Sequence, residues 1–531
     1  MKLNRSKSRI FQALGSLRGL FVVLLLVGIF IFPPLIALAL KAISGTGINA
    51  VKVDNLLRLL ADTLIVASGA TLFALVLGLP SAFLTTRTNL PGRSIWRTLL
   101  PLPLVIPPYI GALTVIDFLG PMGTLNKFLS QLTGEPVRLF NIYSLGGGIF
   151  VLGLFTYPYV YLTVSSALEK MNPSLEEAVH TLGLSGKHVF FKLTLPLILP
   201  AILSGSLLVF LYAFADFGAV SMLRIETFTR AIFFQLNTQF NLGAAALLSS
   251  VLILVTILIL VVQNRLLGKA GYIQTTGRTR QAELLDLGKW RWCALAFLLS
   301  VILISLVAPI WILLNEIGSF ETFLKLATRQ GNYIWNSLWT ATGAATIGTA
   351  LALVITMISS KKRFGGLVWG IAQLGYAIPG TVLAVGMVIF YNTYLPMLYR
   401  TGLILIIAYL SRFLTQALQS IGSAYLQVSP SLIEAARTLG QGPIRAAYKI
   451  LLPILRPGLI SGWLLIFISS LKELAATLIL RPAGFDTLPV RIFIQSQETS
   501  KMTEPAVLAI LLMLLAGIPS FLLNRLEKRV K

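Results

Sequence analysis

The sequence predicts an all-α polytopic membrane protein of about twelve transmembrane helices, built as two parallel six-helix repeats. Three observations predict it. The 531 residues are 56% hydrophobic and only 12% charged, with a mean hydropathy of +0.84, where a soluble domain carries about 25% charged residues. Apolar runs of about 20 residues, long enough to cross a bilayer, recur along the whole chain. One pattern also occurs twice: 173–196 reads PSLEEAVHTLGLSGKHVFFKLTLP and 430–453 reads PSLIEAARTLGQGPIRAAYKILLP.

The apolar runs place helices near 20–40, 61–84, 99–119, 146–168, 197–222, 243–264, 292–314, 334–358, 367–391, 401–420, 454–480 and 505–523. In lipid each backbone polar group must be bonded within the segment, so runs this long resolve as helices. A β-barrel would instead alternate apolar and polar residues in segments of about ten. The first run follows a basic N-terminus and ends in Ala37-Leu38-Ala39, which is also the outline of a cleavable signal peptide. We read it as a retained signal-anchor, since its removal would leave the halves with unequal helix numbers. The units that follow are 1–60 (N-tail, first helix and external loop), 61–264 (first repeat), 265–291 (basic linker), 292–333 (seventh helix and external loop), 334–523 (second repeat) and 524–531 (C-tail).

An even number of helices per half makes the repeat parallel. With an offset of 257, Pro173, Ser174, Leu175, Glu177, Ala178, Thr181, Leu182, Gly183, Lys192, Leu195 and Pro196 all recur, as do Pro200, Ser204, Gly205 and Phe210. Ile106-Pro107 aligns with Ile378-Pro379 at a larger offset, so the first half carries about 15 extra residues, placed in the external stretch 120–147.

The net charge of +24 is distributed as a membrane protein distributes it. With the N-terminus inside, the inner segments hold 28 Lys and Arg and the outer ones 13, as the positive-inside rule expects. No basic cluster stands apart from a membrane helix, so a nucleic-acid partner is excluded and lipid is the expected surroundings. Both termini are expected in the cytosol. Cys293 is the only cysteine, which removes intrachain disulfides and Cys-based metal sites. No phosphate-binding G-x-x-x-x-G-K-[ST] loop occurs, and no nucleophile, base and orienting group can be assembled at membrane depth. The only histidines, His180 and His188, both sit in the first repeated loop, where contact with solvent or a partner is the plain reading.

The repeated loop spells a short, tightly stopped helix. Ser174-x-x-Glu177 and Ser431-x-x-Glu434 fit capping boxes, Pro173 and Pro430 disfavour helix upstream, and Gly183 and Gly440 stand where a left-handed C-terminal cap is needed. Pro196 and Pro453 open the next membrane helix. Glu177 and Glu434 serve as caps on one reading and as caps that also contact a partner on the other. Recurrence of the whole unit favours the second.

The spacing Glu177-Ala178…Gly183…Leu195-Pro196, repeated as Glu434-Ala435-Ala436…Gly440…Leu452-Pro453, resembles the EAA loop of binding-protein-dependent ABC importer permeases. The first copy departs in Val179 and Leu193; the second is complete. The resemblance covers about 61–523. It implies the type I importer permease fold, coupling of Glu177, Ala178, Gly183, Glu434, Ala435 and Gly440 to two separate ATPase subunits, and a periplasmic or extracytoplasmic binding protein that delivers the solute. No cofactor would be bound by this chain, since ATP and magnesium would sit on the ATPase subunits. The bacterial plasma (inner) membrane is the implied location. Two copies in one chain are similar to the fused ferric iron and thiamine permeases. The stretches 215–221, 375–386 and 472–488 resemble ferric iron permeases, with Ala475 standing where proline is common. Ferric iron is thus the leading solute, thiamine or another small solute the alternative. A gradient-driven secondary transporter is the rival class, which the paired loops fit poorly; a scaffold that moves nothing has no positive support.

Asp216 and Glu473 occupy equivalent repeat positions inside the membrane, and Asp117 falls late in the third helix. Intramembrane acids face a solute pathway or fix packing through a partner, and Lys472 is a neighbouring candidate for that partner. Tyr157, Tyr159, Tyr161 and Tyr376 are weaker pathway candidates.

Overall fold

Apolar runs in lipid close their backbone hydrogen bonds internally, and the computed structural model shows helices over the described parts of the runs. It describes residues 28, 30–44, 52–172, 188, 190–267, 284–359, 375, 377–429, 432, 447–498 and 501–530. Among these, nine helices are long and apolar enough to cross a membrane: Val53–Arg87, Leu145–Lys170, Phe190–Ala215, Leu242–Gln263, Gly288–Ile317, Gly331–Met357, Leu403–Leu426, Lys449–Leu471 and Thr503–Leu523. A further span is broken, with Arg93–Val105 and Pro108–Thr133 meeting at 92°. The shorter apolar helices Phe30–Ile43 and Gly380–Tyr394 fall on the first and ninth expected runs.

Three expected helices are not continuous. The 99–119 run breaks at Ile106, whose backbone is extended (ψ 110°) ahead of Pro107. The 197–222 run divides into Leu195–Ala215 and Gly218–Met222, and the 454–480 run into Leu452–Leu471 and Ala475–Leu480. Amphipathic helices also occupy connections that hydropathy leaves as loops: Thr124–Thr133, Phe228–Asn237, Phe320–Arg329 and Leu488–Glu498. The first lies in 120–147, where 25 residues separate Leu119 from Leu145 against 8 between Tyr394 and Leu403.

The two halves repeat one packing scheme. Val53–Arg87, Leu145–Lys170 and Leu195–Ala215 pack pairwise, and Gly331–Ser359, Leu403–Leu426 and Leu452–Leu471 do the same. Gly205 and Gly462 make equivalent close approaches. A Cβ on Gly205 would sit 3.0 Å from Val160 Cα, and one on Gly462 would sit 3.1 Å from Ala417 Cα. Small residues bring membrane helices into backbone contact, where dispersion contacts are densest.

The halves then interlock. Leu242–Leu267 packs on Gly380–Tyr394, Thr503–Val530 reaches the Leu102–Val105 turn, and Ala308–Ile317 lies on Pro108–Leu119. Ser411 Oγ donates to the Phe30 carbonyl at 3.1 Å, so the first helix also touches the second half. The rings of Phe217 and Phe493 meet across the interface at 5.6 Å.

The end of the linker docks on the first half. Leu285 N donates to the Arg87 carbonyl at 2.9 Å and Asn89 N to the Leu285 carbonyl at 3.1 Å. Asn89 Nδ2 donates to Asp286 Oδ1 at 2.7 Å, and Leu287 N to Asn89 Oδ1 at 3.2 Å.

Candidate functional site

Glu177, Ala178, Gly183, Glu434, Ala435 and Gly440 lie outside the described residues, as do His180 and Tyr376. The segments that leave the two loops are described and alike. Each enters its membrane helix through a π turn, Phe190–Thr194 or Ala447–Leu451, at positions equal under the 257 offset. Pro196 and Pro453 then stand in the first turn of the α-helical part, directly after the π turn.

The far ends of these helices carry the intramembrane acids. After Ala215 the chain turns extended at Asp216, whose Oδ1 accepts from the amides of Ala219 and Val220 at 2.9 and 3.2 Å. After Leu471, Glu473 Oε1 accepts from the Ala476 amide at 2.9 Å. A threonine hydroxyl donates to each acid's own carbonyl: Thr229 to Asp216 at 2.6 Å, Thr477 to Glu473 at 2.9 Å. Both acids therefore cap a short helix beyond a break, which satisfies amides that the break exposes.

Their charges are handled differently. Glu473, 8% exposed, is paired through Oε2 with Arg412 Nη1. The sequence points to Lys472 as the partner, but successive helical residues do not face each other. Lys472 instead sends its ammonium to the Leu104 carbonyl of the first half at 3.0 Å. Arg412 was not singled out by sequence, although a lone arginine inside the 401–420 run is the signal that marks it. Its guanidinium also lies over the Phe413 ring at 5.1 Å. Gly380 makes room for the pair, since a Cβ there would meet Arg412 Nη1 at 2.7 Å and Glu473 Oε1 at 2.8 Å.

A cavity of about 200 Å³ lies between the halves, with Asp216, Glu473, Arg412 and Lys472 in its wall. Much of its lining comes in repeat-equivalent pairs: Phe155 with Arg412, Tyr159 with Gln416, Tyr212 with Ser469, Ala215 with Lys472, and Asp216 with Glu473. A site near a repeat interface, formed where helices break, is the arrangement by which membrane transporters expose polar backbone to a solute. Asp117 is not part of it; it ends the Pro108–Leu119 helix away from this lining. Tyr159 reaches the cavity, whereas Tyr157 donates to the Leu100 carbonyl at 3.0 Å and Tyr161 lies 3.3 Å from the Thr85 hydroxyl. Among the described residues no three His, Cys, Asp or Glu side chains are grouped to hold a metal. The described lining thus places two acids, two bases and three tyrosines around a space of the size of a small solute.

The family model for the binding-protein-dependent transport system inner membrane component matches the chain twice, over 71–269 and 344–531. Similar proteins include a Fe(3+)-transport system permease protein of Haemophilus influenzae, 29% identical over 521 residues, covering 95% of this chain and 98% of that one. A ferric transport system permease protein of Actinobacillus pleuropneumoniae is 26% identical over 449 residues, 80% of this chain and 65% of its own. A sulfate transport system permease protein of Salmonella typhimurium is 32% identical over 216 residues, 39% of this chain and 76% of its own.

Proposed function

The chain belongs to the binding-protein-dependent transport system inner membrane components, and from that premise we propose that it imports ferric iron. It is a multi-pass membrane permease with an internal repeat. In this reading an external binding protein delivers the iron, two separate ATPase subunits hold ATP and magnesium, and both termini face the cytosol. The Haemophilus relative, similar over nearly the whole of both chains, supports iron as the solute.

The observation that carries the mechanism is a direct mechanical line. The helix that follows each repeated loop, Leu195–Ala215 or Leu452–Leu471, ends at the cavity, beside Asp216 or Glu473. At 1.5 Å per residue each helix spans about 30 Å. ATP-driven closure of the ATPase subunits pushes the loops around Glu177 and Glu434. Each helix passes that push to the cavity, whose two halves rock between outward and inward access. The test is uptake of radiolabelled ferric iron and of thiamine by cells lacking only this chain. Loss of iron uptake alone, restored by the wild-type chain and not by Glu434→Arg, is expected. Loss of thiamine uptake with unchanged iron uptake would discard iron and keep the machine.

A further inference from the structure

The cavity wall is charged asymmetrically. At two paired lining positions the first half presents Phe155 and Ala215 where the second presents Arg412 and Lys472. Among the described lining residues the acids are Asp216 and Glu473 alone. Glu473 has both oxygens engaged, by Arg412 and by the Ala476 amide, and Asp216 Oδ1 accepts two amides. Three of the four carboxylate oxygens thus already accept from protein donors, which makes the pair a poor ligand set for a metal. A hard trivalent cation asks for several anionic oxygens at once. From the cavity wall the Lys472 ammonium would repel it.

Donors are plentiful by comparison. Lys472 carries three N–H groups and gives one to Leu104. Arg412 Nε has no hydrogen-bond partner. Tyr109 is also a lining residue, 4% exposed, and its buried hydroxyl likewise has none. Buried donors without acceptors are costly, and the oxygens of an anion would satisfy them.

Resting on the iron reading above, we propose that iron passes this cavity as a complex with an oxygen-donor anion, not as the bare ion. Lys472 and Arg412 contact the anion's oxygens and Tyr109 donates a further hydrogen bond. Carboxylate and phosphate anions share this chemistry.

The experiment uses energised membrane vesicles that hold the complete importer with its binding protein, at matched abundance of wild-type, Lys472→Met and Lys472→Arg chains. Loss of one charged donor is expected to cut 55Fe uptake about tenfold in Lys472→Met, with Lys472→Arg near wild type. Unchanged or faster uptake by Lys472→Met overturns the proposal, since removing a positive charge eases the passage of a bare ferric ion. In wild-type vesicles, one arm supplies 55Fe with 14C-citrate and another supplies it with 32P-phosphate. Entry of either label with the metal supports the proposal and identifies the anion; entry of iron with neither overturns it. A third arm supplies 35S-sulfate without iron. Lys472-dependent sulfate uptake by vesicles that take up no 55Fe would overturn the iron reading and leave the anion site standing.

Discussion

Lys472 of the second repeat donates its ammonium to the carbonyl of Leu104 in the first, at 3.0 Å. The acceptor is available because Leu104 lies in a 3-10 turn that ends at the extended Ile106, and the residue three positions on is Pro107, which has no amide to complete the next bond. A proline in one half thus creates the polar group that a lysine of the other half satisfies. Lys472→Met leaves the Leu104 carbonyl unpaired and is expected to lower stability by about 1–3 kcal/mol. Lys472→Arg should retain most of it. Thermal unfolding of the purified chain in detergent reads the difference, and equal midpoints for wild type and Lys472→Met would remove this tie.

The Arg412–Glu473 pair is largely withdrawn from its surroundings, with side-chain exposures of 14% and 10%. Removing one member strands the other charge, so Arg412→Met is expected to cost about 3–5 kcal/mol. The double change Arg412→Met with Glu473→Met removes both charges and should recover part of that loss. It still loses the bond to the Ala476 amide. A double variant as unstable as the sum of the single ones would show that the two side chains do not act as a pair.

Gly380 has no room for a side chain because the ion pair fills it. Gly380→Val drives a branched side chain into Arg412 Nη1 and Glu473 Oε1 and should destabilise by about 1–3 kcal/mol. In the Arg412→Met, Glu473→Met background the penalty should shrink. Identical penalties in both backgrounds would place the conflict elsewhere, for instance against backbone.

Much of this arrangement is legible in the sequence, and the exceptions share a cause. Twelve apolar runs mark where helices lie, because burial in lipid leaves a helix as the only way to satisfy the backbone. The offset of 257 pairs Asp216 with Glu473 without any coordinates. Hydropathy is blind to what happens inside a run, however. Ile106-Pro107 reads as two more apolar residues, yet it bends a span by 92°. Phe228–Asn237 and Leu488–Glu498 are amphipathic and average out as loop. Lys472 is the neighbour of Glu473 in sequence, whereas Arg412 is its neighbour in space, a contact between helices that linear order does not display.

The linker clasp responds to pH. The Gly288 amide and Asn89 Nδ2 both donate to Asp286 Oδ1, at 3.1 and 2.7 Å, and hold that carboxyl below its ordinary value. A depressed carboxyl favours the docked state above the unfolded value and loses that preference as pH falls through the depressed one. The clasp should therefore loosen below about pH 4. Hydrogen exchange at the Leu285 and Asn89 amides, corrected for intrinsic rate, should then quicken, and Asn89→Ala should reproduce the effect at neutral pH. Equal protection in wild type and Asn89→Ala would show that the backbone bonds hold the linker without the side chains.

The coupling loops give the test with the widest consequence. Gly183 and Gly440 are expected at left-handed positions that end the short loop helices, where alanine costs about 1–2 kcal/mol against glycine. Proline cannot take that conformation at all, since its ring holds φ near −65°. Gly183→Pro and Gly440→Pro should therefore reshape the surface offered to the ATPase subunits. The helices Leu195–Ala215 and Leu452–Leu471 should stay intact, because their π turns and prolines lie further along the chain. The expected result is full membrane insertion, unchanged thermal stability and loss of iron uptake, with Gly183→Ala and Gly440→Ala much milder. Two loops in one chain also make the outcome divisible. If both must be pushed for the cavity to switch, either proline alone stops transport. Normal uptake by either proline variant would overturn the coupling role assigned to that loop.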